Sequence, residues 1–121
     1  MATISKILLS GCTQGKAISL TDTGTSGNTD AGYLVHTAVS GTSDLDEIFI
    51  YAVNTSSSAV KVTLEWGEVD VDGNIEMTVD GEAGLVLLTP GLLLQNGLLV
   101  KAFAGTADVI SLHGFVNRIS A

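Results

Sequence analysis

The stretch AGLVLLTPGLLLQNGLLV, residues 83–100, decides the fold, because it carries no charge and is cut by two turn dipeptides. Ten of its eighteen residues are leucine or valine, and Pro90-Gly91 and Asn96-Gly97 divide them into short pieces. A transmembrane helix needs about 20 continuous apolar residues, and a buried helix does not tolerate such breaks. We therefore predict short strands that are apolar on both faces. One face would fill the core, and the other would need a partner, as in a protein that works in an assembly.

The rest of the chain continues this pattern of short strands and turns. Turn-forming residues recur about every 8–12 residues, which is typical of a sandwich or barrel, and no segment shows helical periodicity. We predict one all-β domain over residues 1–121, an antiparallel β-sandwich of jelly-roll character with little or no helix. The predicted strands cover residues 4–9, 17–20, 33–39, 47–53, 60–66, 69–71, 75–79, 85–88, 92–94, 98–104 and 109–116. Residues 21–32 are almost wholly polar and predict a mobile loop.

The clearest predicted hairpin spans residues 60–79. Even positions from 60 to 66 are apolar and odd positions are polar, so we expect one buried and one wet face. The apolar phase shifts after Gly67, which predicts a β-bulge, and Asp72-Gly73 predicts a tight turn. A similar turn at Asn96-Gly97 would join residues 92–94 to 98–100.

Residues 47–53 leave no polar face. This strand is either central and covered on both sides, or part of a contact between subunits. We predict that it lies in that contact alongside part of residues 85–100. The predicted interface residues are Phe49, Tyr51, Leu93 and Leu99.

The composition also favours an assembly. Hydrophobic residues make up 45% of the chain and charged residues only 15%, whereas about 25% is typical of a soluble domain. The formal net charge is −8, and the five basic residues are scattered singly. Nucleic acid and anionic membranes are therefore not expected partners, since both require clustered basic residues.

The best metal candidate is the acidic segment 68–76. Several of its residues take EF-hand positions, namely Glu68, Asp70, Asp72, Gly73 and Glu76. Position 12, where the motif needs a bidentate carboxylate, is Val79. We predict a solvated hairpin tip and no metal site, with these four acids as a weak calcium candidate.

Other titratable residues form no recognisable catalytic pattern. His36 and His113 are far apart in sequence and are expected to be hydrogen-bonded strand residues, because zinc needs three or four ligands. The single Cys12 excludes an internal disulfide.

Two pairs of carboxylates could in principle do acid–base work. Glu65 with Glu68, and Asp44 with Asp46, are interpreted as solvated loop charges, since no cleft is predicted around them. The motif Gly-x-Ser-x-Gly does not occur. We therefore expect neither an enzyme nor a cofactor.

Five segments together resemble one group of structural proteins. They are KILLSG at 6–11, LDEIFIYAVN at 45–54, LEWG at 64–67, LLLQNGLLV at 92–100 and HGFVNR at 113–118. They resemble the capsid decoration, or cement, proteins of tailed bacteriophages. The resemblance implies a β-rich homotrimer, made in the host cytoplasm, that binds the major capsid protein on the outer surface of the virion. Such a protein clamps neighbouring capsid subunits without a cofactor or catalysis. The resemblance assigns no particular residues to the capsid contact.

Two other functions fit the same sequence. One is another structural part of a phage virion, such as a head spike, tail or fibre-base protein. The other is a β-sandwich module that binds sugar or calcium through the acidic segment 68–76.

Overall fold

The computed structural model describes residues 2–24 and 32–121, which form nine strands and one short 3-10 turn. The strands are β1 (Thr3–Leu8), β2 (Ile18–Ser19), β3 (Tyr33–Thr37), β4 (Leu45–Asn54), β5 (Val60–Trp66), β6 (Asn74–Val79), β7 (Val86–Leu94), β8 (Leu99–Ala104) and β9 (Ile110–Ser120). The 3-10 turn covers Val71–Gly73. The predicted mobile loop at 21–32 includes residues 25–31, which lie outside the described residues.

The strands form two antiparallel sheets. Sheet A has the order β1-β9-β4-β7, with β2 pairing to β9 beyond the end of β1, and sheet B has the order β3-β8-β5-β6. The pairs are therefore nested: β1 and β2 with β9, β3 with β8, β4 with β7, and β5 with β6. Nested pairing folded across two sheets is the jelly-roll topology. The predicted all-β sandwich is confirmed.

Alternate side chains along each strand point inward and form the core between the two sheets. In β4, Ile48, Ile50 and Ala52 are fully buried, whereas the odd-numbered residues between them are half-buried. Val62 and Leu64 of β5 join the same apolar cluster from sheet B. One continuous core thus holds both sheets, because each sheet presents every second residue to the other.

The outward face of β5 differs from its prediction. Thr63 and Glu65 were expected on a wet face, but each is only 1% exposed. Gly32 lies over this part of sheet B, where a side chain on it would collide with the Glu65 carboxylate. Gly32 thus covers Glu65 from the outside of the sheet, whereas Lys61, the first odd position of β5, is exposed as predicted.

Val86–Leu94 forms one strand where two were predicted, over residues 85–88 and 92–94. In the register of β7, Ile48 pairs with Leu92 and Phe49 with Pro90, so Gly91 is an extra residue. Its φ of +92° is a conformation that glycine adopts readily. Pro90-Gly91 is therefore a bulge and not a turn. The proline is tolerated because β7 is the edge strand of sheet A.

Thr89 stabilises this irregular strand from within the core. Its side chain is fully buried. The Oγ1 atom accepts a hydrogen bond from the Ile50 N–H at 3.0 Å and donates one to the Ile48 carbonyl at 3.1 Å. A second register shift lies between Ile50 and Tyr51. The hydroxyl thus supplies partners that the bulged backbone of β7 does not.

Replacement of Thr89 tests this role. We expect Thr89→Val to lower the free energy of unfolding by about 1–3 kcal/mol, because two buried backbone groups lose their partner. Urea denaturation followed by Trp66 fluorescence measures the change. Thr89→Ser keeps the hydroxyl and removes one methyl group, so its expected loss is smaller, about 0.8 kcal/mol. A Thr89→Val protein as stable as the wild type would contradict this role.

The Asn96-Gly97 turn forms as predicted but has a different consequence. Both residues have positive φ, 63° and 66°, as a type I′ turn requires. However, the strands on either side, β7 and β8, belong to different sheets. The predicted hairpin between them is therefore wrong, and the turn carries the chain from sheet A to sheet B.

The hairpin of β5 and β6 is confirmed, with Leu64 opposite Ile75 and Val62 opposite Met77. Its connection differs from the prediction. Residues 69–71 do not form a strand, and the predicted bulge at Gly67 is absent. Gly67 instead has a φ of +75° and follows the last residue of β5.

Candidate interaction surface

The outward face of sheet A is a largely apolar surface, which we call face A. Opposite residues of paired strands point to the same side of a sheet, so the register arranges the outward side chains of β1, β9, β4 and β7 in rows. The rows are Ile4, Ile119 and Leu45; Lys6, Asn117, Glu47 and Leu93; Leu8, Phe115, Phe49 and Pro90; and His113, Tyr51 and Leu87. Ile4 is 66% exposed, Leu8 52% and Leu93 50%. Apolar side chains of this surface therefore face water.

Two stacked aromatic rings lie at the centre of face A. The rings of Phe49 and Phe115 stack with centroids 4.6 Å apart and an interplanar angle of 13°. The Lys6 ammonium lies 4.9 Å from the centroid of the Phe115 ring, a cation–π contact. A side chain on Gly91 would come within 2.9 Å of Phe49 Cζ, so the glycine leaves room for this ring.

The row with Lys6 is the polar part of face A. Asn117 Nδ2 donates a hydrogen bond to Glu47 Oε1 at 3.0 Å. Lys6 lies on β1, Asn117 on β9 and Glu47 on β4. The row is therefore positive on one side of β9 and negative on the other.

Three of the four predicted interface residues come together on face A. Phe49 and Tyr51 of β4 lie beside β7, which carries Leu93. Leu99 is separated from them, because it belongs to β8 and pairs with Thr37 on sheet B. That these residues contact another subunit remains a prediction.

A buried ionic cluster lies on the opposite, inward side of the same strands. Asp46 is fully buried. Arg118, its partner across β4 and β9, donates from Nε to Oδ1 at 2.7 Å and from a terminal nitrogen to Oδ2 at 2.9 Å. The Val39 N–H donates to Oδ2 at 3.0 Å, and His36 Nε2 lies 2.8 Å from the same oxygen.

This arrangement sets the charge of Asp46. Burial acts to raise its pKa, but the hydrogen bonds from Arg118 and His36, and the positive charge of Arg118, hold the pKa below its usual range. The same contact raises the pKa of Arg118. The cluster is therefore an ion pair that joins β3, β4 and β9 behind face A.

The cluster resembles a catalytic triad only in its composition. The Ser10 backbone N–H donates to His36 Nδ1 at 3.0 Å, so the neutral ring carries its proton on Nε2 and donates it to Asp46. The Ser10 Oγ atom accepts a hydrogen bond from the Thr37 N–H at 2.7 Å. Both ring nitrogens of His36 are thus engaged, and neither activates the hydroxyl.

Sequence reasoning missed this cluster. Asp46 was interpreted as a solvated loop charge, which is wrong, because it lies in β4 in phase with the buried Ile48 and Ile50. Arg118 is in phase with the buried Val116 in the same way. The signal that could have found the cluster was therefore a charge at a core position in each of two strands.

The acidic segment 68–76 does not form a compact site. Glu76 projects from β6 and pairs with Lys61 at 3.1 Å, whereas Asp72 belongs to the 3-10 turn. Across residues 2–24 and 32–121, no three acidic, histidine or cysteine side chains are placed to hold a metal ion. His36 is buried at the core edge, and His113 lies on face A opposite Tyr51.

A small groove lies on the opposite side of the molecule, on sheet B. It has a volume of about 270 Å³, and its lining includes Leu98, Leu99, Glu65, Glu68 and Lys101. Leu99 thus lies in this groove and not on face A.

Comparisons of the chain with protein-family models, with curated proteins and with solved structures gave no match. Within the described part of the chain, no helix has the length and apolar character needed to cross a membrane.

Proposed function

We propose that this protein is a capsid decoration, or cement, protein of a tailed bacteriophage. It binds the major capsid protein on the outer surface of the shell as a homotrimer and stabilises the shell. The observation that carries the proposal is face A, an apolar sheet surface open to water on a chain with few charges. Large exposed apolar patches mark interaction sites, so the protein works in contact with other chains.

The segments that resemble decoration proteins support this proposal by their positions. Residues 6–8 lie in β1, residues 45–54 form β4, residues 92–94 end β7, and residues 113–118 lie in β9. These strands are neighbours in sheet A. The other resembling residues that lie in strands, 64–66 of β5 and 99–100 of β8, belong to sheet B. The resemblance therefore covers all four strands of face A but is not confined to them.

The rigid fold suits a clamp. The jelly roll has a continuous core, and the Asp46–Arg118 pair joins the strands directly behind face A. A protein that holds neighbouring capsid subunits together must keep its own shape under load. Binding surfaces of this kind are positioned by a rigid scaffold.

Binding to shells tests the proposal. Empty, expanded shells of the phage that encodes the chain, assembled without it, are mixed with the purified protein and sedimented. We expect saturable binding and a higher temperature of shell disruption. Shells that bind no protein, or virions that carry it on the tail or fibre base, would contradict a role as capsid decoration.

A further inference from the structure

We infer that face A is the contact between copies of this chain, with Lys6 of one copy opposite Glu47 of the next. The inference rests on the proposed function, because it assigns the surface through which the homotrimer forms. Three observations support a second copy as the occupant: the charge of face A, the order of charges within its polar row, and its size.

The charge balance of face A permits a contact between identical chains. The chain carries a formal net charge of −8, so two copies repel each other in most orientations. In the four rows of face A, the charged side chains are Lys6 and Glu47. The face is thus neutral as a whole and adds no repulsion of its own to a contact between copies.

The polar row is complementary to itself. Lys6 and Glu47 lie two strand spacings apart, about 10 Å, with Asn117 between them. No ion pair joins the two side chains within the described chain. In a closed ring of three copies the rows follow one another head to tail, so the Glu47 side of each row meets the Lys6 side of the next. Complementary charges of this kind fix the register of an interface.

The polar groups of the row also tolerate burial. Glu47 already accepts a hydrogen bond from Asn117, and Lys6 already lies over the Phe115 ring. A second copy therefore adds an ion pair to groups that keep their present partners. An unpartnered charge would oppose the contact, and this row has none once the copies meet.

Face A is large enough to contribute to the contacts with both neighbours in a trimer. Four strands about 4.8 Å apart, with β4 ten residues long, span roughly 20 by 30 Å, or about 600 Å² in projection. A pleated surface has a larger accessible area than its projection. A stable contact buries about 800 Å² on each partner, so face A, divided between the two neighbours in a trimer, supplies part of each contact.

Charge reversal tests the inference. Lys6→Glu and Glu47→Lys each place like charges opposite one another between copies, and we expect each to weaken self-association about tenfold at low salt. The double variant Lys6→Glu/Glu47→Lys restores the opposite charges, so we expect its affinity to return to near the wild-type value. Because the two side chains do not pair within a chain, this recovery arises between copies. Lys61→Glu, at an exposed position of β5 in sheet B, is the matched control and is expected to change little.

Sedimentation equilibrium measures the association, and urea denaturation of each variant confirms that it folds. A wild-type protein that does not self-associate, single variants without effect, or a double variant without recovery would overturn the inference. Recovery in a protein that binds no shells would support the inference and contradict the proposed function. Recovery in a dimer would support the contact on face A and contradict the trimer.

Discussion

Arg118→Ala is expected to lower the free energy of unfolding by about 3 kcal/mol at neutral pH. Removing one partner of a buried ion pair costs about 3–5 kcal/mol, because the other charge stays buried without compensation. Asp46 is fully buried, whereas Arg118 is 32% exposed, so water entering the vacated site offsets part of the cost. Urea denaturation at one fixed protein concentration measures the loss.

A second ion pair on the surface provides the control. Lys61 and Glu76 lie 3.1 Å apart, but both side chains are well exposed. Exposed pairs contribute about 0.2–1 kcal/mol, so Lys61→Ala is expected to have a small effect. Equal losses in Lys61→Ala and Arg118→Ala would contradict the role assigned to the buried cluster.

The loss in Arg118→Ala is also expected to depend on pH. In the wild type, the pKa of Asp46 is held below its usual range. Its contribution is therefore present above the unfolded pKa, about 3.9, and disappears as the pH falls through the folded pKa. Without Arg118, burial of the ionised Asp46 carboxylate lowers the stability of the folded protein. This loss of stability also disappears in acid, because Asp46 is then protonated. The difference between the two proteins should thus shrink from pH 7 to pH 3, and a constant difference would contradict an electrostatic origin.

Leu93→Glu is expected to weaken self-association at least about a hundredfold. Leu93 lies on face A beside Glu47 in the same row, so two carboxylates would be buried between copies with one lysine of the neighbouring copy to compensate them. Burying an unpaired charge costs several kcal/mol, and about 2.7 kcal/mol corresponds to a hundredfold change in affinity. Sedimentation equilibrium measures the change.

Leu99→Glu is the matched control, since Leu99 is also an exposed leucine but lies on sheet B. We expect it to leave self-association unchanged. The reverse result, in which Leu99→Glu dissociates the oligomer and Leu93→Glu does not, would place the contact at the groove on sheet B.

The sequence predicted most strands because alternation is a local property. The strand Val60–Trp66 has the bounds that its apolar and polar positions indicate, and its hairpin with β6 follows. The dense apolar residues of β4 correctly indicated a strand with no polar face. In the fold, β4 is central in sheet A, buried on one side and open on the other.

The sequence did not predict how residues 83–100 are divided between the sheets. Asn96-Gly97 specifies a local reversal of the chain, but the sheet that receives the next strand depends on distant pairing, here of β8 with β3 and β5. Pro90-Gly91 has the composition of a turn, yet an edge strand accommodates it as a bulge. Three of the predicted interface residues share one face because register brings β4 and β7 together.

Sedimentation equilibrium of the unmodified protein at micromolar concentration tests the central claim, that face A makes this chain an assembly protein. A chain of 12.4 kDa that forms a homotrimer has three times that mass in solution. A particle with the mass of a single chain across the micromolar range would contradict the claim.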